Sequence, residues 1–339
     1  GELLLWLVLG HVVQVALLGL MRYHPVLAFC ILPAFLATPY LVPLRVVVAR
    51  WFTAATAFVF FMGAMKVFVQ DREDKELGVK LRKEAFHQYM LRFIPLKASP
   101  SQNYAPYAMY RVGAILIKYT LANALFIEHA ACLENRPSSL IQEIAYRYAT
   151  GLGVYLWVNS MSEPVMVFWM LMNGVIIEEM FARPYLATSL SDFWSKRWNV
   201  LITTLFKRTV YIPLGGKYNY YQASAAVFLV SAIFHEYTTF VSGMPSWHNL
   251  LFFCGMGLGT MASVKAGRLI LPMVERTPGI QPVVTVVSFV ATMCFLLLLA
   301  PFFYEPYIKS RFFEKAIGAL PWHSVDSYPL SVMICPAQP

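Results

Sequence analysis

The most chemically suggestive residue is His235, in the run Val230-Ser231-Ala232-Ile233-Phe234-His235-Glu236-Tyr237, deep inside an apolar stretch at 222–242. An ionisable side chain is costly there and marks a functional candidate. A neutral imidazole at such a place can accept a proton from a hydroxyl. On a helix, Ser231 and Thr239 lie one turn to either side of His235, with Thr238 and Ser242 on the same face. The spacing gives a polar stripe fit to line a water- or substrate-filled cavity. The plainer alternative is a histidine that only bonds a neighbouring helix. Glu236 projects about 100° away and is not assigned as an acid partner of His235. His-Glu-Tyr-Thr-Thr lacks the second histidine of a zinc-protease HExxH motif. His11 sits in the first apolar run. His24, His87, His129, His248 and His323 fall at segment ends, in loops or in the tail, and read as solvated anchors.

A second cluster is Ser189-Leu190-Ser191-Asp192-Phe193-Trp194-Ser195-Lys196-Arg197-Trp198-Asn199. Ser189 and Asp192 have the spacing of a capping box. On one continuous helix, Trp194, Trp198, Leu201 and Leu205 form an apolar stripe. Asn199 falls about 140° from Trp194, on the charged side. Tryptophans on one face and charges on the other suit a membrane interface. The polar face by itself leaves Asn199 either functional or one polar residue among several. Lys196, Arg197, Lys207, Arg208 and Lys217 follow closely, with Tyr218, Tyr220 and Tyr221 nearby. Such a cluster can hold a phosphorylated molecule such as coenzyme A, or lipid headgroups.

These residues need a scaffold, and the composition says which kind. Of 339 residues, 58% are hydrophobic and 13% charged, against about 25% charged in a soluble domain. Apolar runs occur at roughly 3–21, 25–44, 51–70, 107–130, 146–160, 165–181, 222–242, 248–271 and 280–303. Runs of this kind must be helices, since lone strands leave backbone groups unsatisfied in lipid. The expected fold is all-α and polytopic, with about eight or nine transmembrane helices. Pro25, Pro33, Pro39 and Pro43 should kink or break the second run. The mixed stretch 199–214 suits a re-entrant or interfacial helix. The multi-span region is placed at 1–303, interrupted by a charged loop at 71–97 and a basic interfacial segment at 183–221, with a polar tail at 304–339 outside the membrane or along its surface. Both basic segments belong on the cytoplasmic side by the positive-inside bias. Three spans between them would put them on opposite sides, so 146–181 is not two full spans or one loop is re-entrant.

The net charge of +9 is spread between apolar segments, so it anchors loops, meets anionic lipid or serves an anionic substrate. No compact basic domain exists to hold nucleic acid. Cys30, Cys132, Cys254, Cys294 and Cys335 form no CxxC pair, so neither a metal site nor a disulfide framework is expected. The Gly255-x-Gly257-x-Gly259 run reads as helix packing. Lys66, Lys118 and Glu178 could act as relay groups in a transporter, but pairing or snorkelling accounts for them more simply. The chain begins at Gly1 rather than methionine, which leaves a removed targeting peptide and a truncated sequence both open.

Ser-Leu-x-Asp-Phe-Trp-x-x-Arg-Trp-Asn at 189–199, followed by Phe234-His235-Glu236 in an apolar helix, resembles the membrane-bound O-acyltransferase family, and within it the wax-synthase branch. Arg208-x-x-Tyr211-x-Pro213 is similar to that branch too. The resemblance covers about 180–245; elsewhere it rests on the multi-span pattern, and 71–97 matches nothing in the family. It implies an enzyme with a central catalytic cavity that moves an acyl group from acyl-CoA to an alcohol hydroxyl, forming a wax or lipid ester. His235 takes the place of the family's histidine and Asn199 that of its asparagine. Trp194, Lys196, Arg197, Trp198, Arg208, Ser231 and Thr239 become candidates for binding substrate or coenzyme A. No cofactor or metal is expected beyond acyl-CoA as co-substrate. Expected partners are membrane lipids, acyl-CoA and a lipid or small-molecule alcohol. The expected location is the endoplasmic reticulum, or an organelle inner membrane if a targeting segment was removed. The competing reading is a non-catalytic assembly subunit of a larger membrane complex built on the same scaffold.

Overall fold

The computed structural model describes residues 1–67, 83, 98–100, 103–132, 139–244 and 246–318. The charged loop expected at 71–97, apart from Lys83, and the tail beyond 318 lie outside the described residues. Along the chain, α1 is Glu2–Tyr23, α2 Ala28–Ala37 and α3 Val47–Met65. A short strand β1 (Ala98–Pro100) precedes α4 (Tyr104–Cys132) and α5 (Leu140–Asn173), and β2 (Val175–Ile177) follows. Then come α6 (Val200–Phe206), α7 (Tyr220–Val241), α8 (His248–Arg276), α9 (Gln281–Lys309) and α10 (Phe312–Gly318). The all-α expectation holds, apart from the β1–β2 ribbon.

Among the described residues, five helices are long and apolar enough to cross a membrane: Glu2–Tyr23, Leu44–Met65, Gly216–Val241, His248–Arg276 and Gln281–Lys309. The chain is an integral membrane protein, although the expected count of eight or nine spans is not reached among these residues. Val283, Val286, Val287, Val290 and Leu298 on α9 are exposed, as a lipid-facing surface requires. The prolines of 25–44 act as expected. They give a 3₁₀ turn at Pro25–Leu27, a short α2 with Pro33 inside, and a second 3₁₀ turn at Thr38–Leu41.

The chain divides into two compact units, one of Gly1–Leu96 with Leu201–Ala262, the other of Lys97–Val200 with Ser263–Pro339. In the first, a polar knot ties α1, α2 and α3. Fully buried Gln14 donates to Thr38 Oγ1 (2.9 Å) and to the Thr53 carbonyl (2.8 Å), and accepts from Thr56 Oγ1 (2.8 Å). Helices in lipid use such bonds as cross-links. The same unit buries Phe58, Met62, Leu205, Phe206 and Phe234 in one apolar cluster. Gly257 fulfils the packing role expected of its glycine run, since a Cβ there would come within 3.0 Å of Phe228.

In the second unit, α4 and α5 form a hairpin, and β1 pairs antiparallel with β2 across its base, Ala98 opposite Ile177. Of the two alternatives for 146–181, the single helix meets the first: the stretch is not two full spans. The polar break Ser160-Met161-Ser162-Glu163-Pro164 reads as a turn in one dimension, yet α5 runs straight through it. Ser160 and Ser162 donate back to helix carbonyls. Glu163 is buried against Arg111, whose guanidinium also donates to the Ile177 carbonyl at 2.8 Å. Lys118, one of the relay candidates, donates to Asn159 Oδ1 at 3.0 Å. The helix ends at Gly174, whose left-handed backbone (φ 62°) suits glycine. The boundary expected at 303 falls inside α9, and 304–318 are largely helical. Phe312 and Phe313 of α10 pack on Trp157 at 5.7 Å between ring centroids, and Phe313 stacks on Phe126 at 4.0 Å.

Candidate active site

His235 lies in the last third of α7. Its helix position is fixed from below by Phe234, which belongs to the buried cluster with Phe58, 5.0 Å away between centroids. The imidazole Nδ1 is 2.9 Å from the Ser231 carbonyl oxygen. A carbonyl can only accept, so Nδ1 carries the proton and the lone pair resides on Nε2. That is the tautomer a general base needs, with Nε2 on the ring edge away from its own helix turn. One face of the ring lies against Phe253 of α8, 4.4 Å between centroids and tilted by 31°.

The polar stripe is present, but most of its hydroxyls have local partners. Thr238 Oγ1 donates to the His235 carbonyl at 2.9 Å. Thr239 Oγ1 donates to the carbonyls of His235 (2.9 Å) and Glu236 (3.1 Å), and accepts from Asn249 Nδ2 at 3.4 Å. Thr238, Thr239 and Ser242 are buried. Ser231 contributes its carbonyl to the histidine. Two contributors were not singled out from the sequence. Glu236, left without a role there, accepts the Leu250 N–H at 3.0 Å, satisfying a donor in the first turn of α8. Asn249, fully buried, has an Oδ1 with no partner among the described residues. Its signal was a polar pair, His248-Asn249, at the head of an apolar run.

Asn199 belongs to the second unit and sits in a backbone crossing. After β2, Met180 accepts from the Val200 N–H (2.8 Å), and the Ala182 N–H donates to the Arg197 carbonyl (2.9 Å). Asn199 lies between those two bonds with φ 41°, a left-handed conformation that asparagine tolerates better than most residues. This overturns the single amphipathic helix expected through 192–205. Ser189 does cap a helical turn, accepting from the Asp192 N–H at 3.0 Å. That turn stops at Asp192, a π-helical turn follows at Phe193–Arg197, and the chain breaks before α6. The stripe of Trp194, Trp198, Leu201 and Leu205 therefore does not form on one helix. Instead Trp198 stacks on Phe193 (5.3 Å between centroids) and meets Phe181 and Trp194 edge-on.

Arg197 spends its guanidinium inside this loop. Nε donates to Asp192 Oδ2 at 2.5 Å, and Nη1 reaches the carbonyls of Ala182 and Arg183. Lys196 is exposed in the same unit. In the first unit Lys207, Arg208 and Lys217 are exposed, Lys207 and Arg208 within a second π-helical turn, Lys207–Tyr211. π-Helical turns occur frequently at functional sites. Thus His235, Ser231, Thr239 and Arg208 belong to one unit, and Asn199, Trp194, Lys196, Arg197 and Trp198 to the other.

Residues 177–255 match the model of the membrane bound O-acyl transferase family. This segment is similar to that family. It contains His235, Asn199 and the whole of both motifs on which the resemblance rests. The chain is 26% identical over 238 residues to the probable long-chain-alcohol O-fatty-acyltransferase 9 of Arabidopsis thaliana, covering 65% of this chain and 63% of that protein. It is 34% identical over 136 residues to acyl-CoA–sterol O-acyltransferase 1 of the same organism, covering 38% and 39% of the two chains. Over 255 residues it is 26% identical to the probable long-chain-alcohol O-fatty-acyltransferase 8, covering 71% and 70%. The acyltransferase match thus spans 39–63% of the first two relatives' lengths.

Proposed function

We propose that the protein transfers an acyl group from acyl-CoA to an alcohol hydroxyl, forming a wax or other lipid ester, with His235 as general base. The observation that carries this reading is the Nδ1–H to Ser231 bond inside the acyltransferase segment, which leaves Nε2 as the proton acceptor. An alcohol is a poor nucleophile at neutral pH. Nε2 takes its proton as the oxygen attacks the thioester carbonyl carbon. The tetrahedral intermediate collapses with loss of the coenzyme A sulfur, and the imidazolium returns the proton to that thiolate. One acyl-CoA and one alcohol give one ester and one free thiol.

In this reading the Asn199 amide holds the acyl substrate or stabilises the oxygen on which negative charge develops. Exposed Lys196 and Arg208 suit the phosphates of coenzyme A. Arg197, paired with Asp192, shapes the loop that carries Asn199. Ser231 acts through its carbonyl, Thr239 through the backbone, and Trp194 and Trp198 through the aromatic packing of the loop. The acceptor class is a long-chain alcohol or a sterol, the two named among the relatives. Residence in the endoplasmic reticulum, beside lipid-soluble acceptors and membrane lipids, goes with the same proposal.

The test is transfer from labelled palmitoyl-CoA and acetyl-CoA to a panel of fatty alcohols, diacylglycerol and sterols. Wild type is expected to form ester, and folded His235→Ala to lose at least about a hundredfold in rate. Equal ester from both proteins would remove His235 as the base. No ester from wild type, together with co-purification in fixed stoichiometry with other membrane proteins, would replace the enzyme by an assembly subunit.

A further inference from the structure

Beside His235, α7 and α8 meet in two rungs. In one, the ring of Phe253 lies against the imidazole, 4.4 Å between centroids. In the next, Asn249 Nδ2 reaches Thr239 Oγ1 at 3.4 Å. Phe253 follows Asn249 by one helical turn, as Thr239 follows His235. Each pair therefore shares a helix face, and the rungs stand about 5–6 Å apart.

Counting protons fixes the direction of the Asn249 amide. Thr239 has a single hydroxyl proton, shared between the carbonyls of His235 (2.9 Å) and Glu236 (3.1 Å). Toward any further partner its oxygen can only accept. Asn249 must then turn its NH₂ to Thr239 and its Oδ1 elsewhere. That oxygen is fully buried and has no partner among the described residues. Ser242, at the end of α7, is 3% exposed, and its Oγ likewise has no partner among the described residues. Both residues neighbour Thr239, Asn249 by contact and Ser242 by the helix repeat. Buried polar atoms left in this state are costly, and each calls for something that bonds it.

The two groups complement a secondary amide. Asn249 Oδ1 can only accept, which suits an N–H; the Ser242 hydroxyl can donate, which suits a C=O. The acceptor alcohol does not serve Oδ1, because in the reaction proposed above its proton goes to His235 Nε2. Acyl-CoA does, since its pantetheine arm carries a secondary amide a short chain from the thioester sulfur. We propose that Asn249 and Ser242 form the subsite for that amide, its N–H donating to Asn249 Oδ1 and its carbonyl accepting from the Ser242 hydroxyl. The subsite stands one helical turn from His235 and sets how far the thioester enters. The identity of the amide rests on the acyl-transfer reading.

The test uses the full chain in detergent micelles and needs no turnover. Two thioether probes are compared by calorimetry: S-hexadecyl-N-acetylcysteamine, and the ester in which oxygen replaces the amide N–H. Wild type is expected to bind the amide about tenfold more tightly, the worth of one buried hydrogen bond. Asn249→Leu should bind the two probes equally. Ser242→Ala should weaken both by a similar factor and keep the preference, since both probes retain the carbonyl. It also carries the test should Asn249→Leu fail to fold. Equal affinity of wild type for the two probes, or binding of neither, would overturn the subsite and leave ordered water to serve both atoms. So would a preference that survives in Asn249→Leu, or Ser242→Ala binding as wild type does. A preference for the amide in a protein that forms no ester would keep the subsite and sink the acyl-transfer reading; ester formation without the preference would do the reverse.

Discussion

At Asn199 the backbone and the side chain make separate demands that substitution can separate. The backbone demand is a left-handed φ of 41° between two cross-strand bonds, which glycine meets freely and alanine at a cost of roughly 1 kcal/mol. The side-chain demand, in the proposed mechanism, is for an amide. Asn199→Gly should therefore keep the thermal midpoint of wild type and lose transfer, whereas Asn199→Ala should lose both. Retained transfer in Asn199→Gly would leave the residue a purely conformational one. Thr239 makes the contrasting case. Its hydroxyl is engaged by two carbonyls and by Asn249. Thr239→Val should destabilise by about 1 kcal/mol, in line with polar bonds between membrane helices, and Thr239→Ser by less, read from unfolding midpoints in detergent. A neutral Thr239→Val would return the hydroxyl to the role of cavity lining. His235 stood out in sequence as a polar residue where the pattern calls for none, and Asn199 only through the motif that resembles the family. The division of labour among Ser231, Thr238 and Thr239 was not legible, since helical periodicity places a hydroxyl on a face without saying whether it bonds inward to its own backbone.

The α4–α5 hairpin shows where one-dimensional reading fails at the level of elements. Ser160, Ser162, Glu163 and Pro164 are all turn-favouring or polar, so they suggest a boundary. Arg111, far away in sequence, supplies the charge that lets Glu163 stay inside a helix, each residue being about 3% exposed. The kinked proline segment was legible because proline acts locally; the hairpin was not, because its explanation is a tertiary pair. The same reason accounts for the broken helix at 193–199, where Met180 and Ala182 take backbone bonds that a straight helix would keep for itself. Removing one member of the Arg111–Glu163 pair should be severe. Glu163→Gln or Arg111→Met leaves an unpaired buried group, at a cost of about 3–5 kcal/mol for the charge alone. Pairing Arg111→Met with Glu163→Leu should recover most of that loss, short of the bond to the Ile177 carbonyl. A double variant no more stable than either single one would show that the guanidinium serves β2 rather than Glu163.

For the molecule as a whole, the hairpin bears on a question of sidedness that the span count left in conflict. Both ends of α4–α5 meet in the β1–β2 ribbon, with Ser99 opposite Ile176 and Pro100 opposite Val175. An antiparallel hairpin returns to the side it left, whatever depth it reaches, and α5 at 34 residues is about 50 Å long, ample to cross. The segment 71–97 runs into β1, and 183–221 begins a few residues after β2, so both basic stretches attach at one end of the hairpin. The positive-inside bias then predicts a cytoplasmic position for that end, the side on which the proposed acyl-CoA donor would meet Lys196. Single cysteines at Ser99 and Leu186, introduced into a cysteine-free background, should react with a membrane-impermeant maleimide only when the cytoplasmic face is opened. Ser139, at the hairpin's far end, should react from the opposite face. Labelling of Ser99 and Leu186 from opposite faces would break the hairpin topology. Labelling of all three from the cytoplasm would keep the hairpin and make it a re-entrant or interfacial pair, consistent with the absence of α4 and α5 from the five apolar spans. The loop at 183–199 would keep the side of the ribbon in that case, because its sidedness follows from the ribbon and not from whether the hairpin crosses.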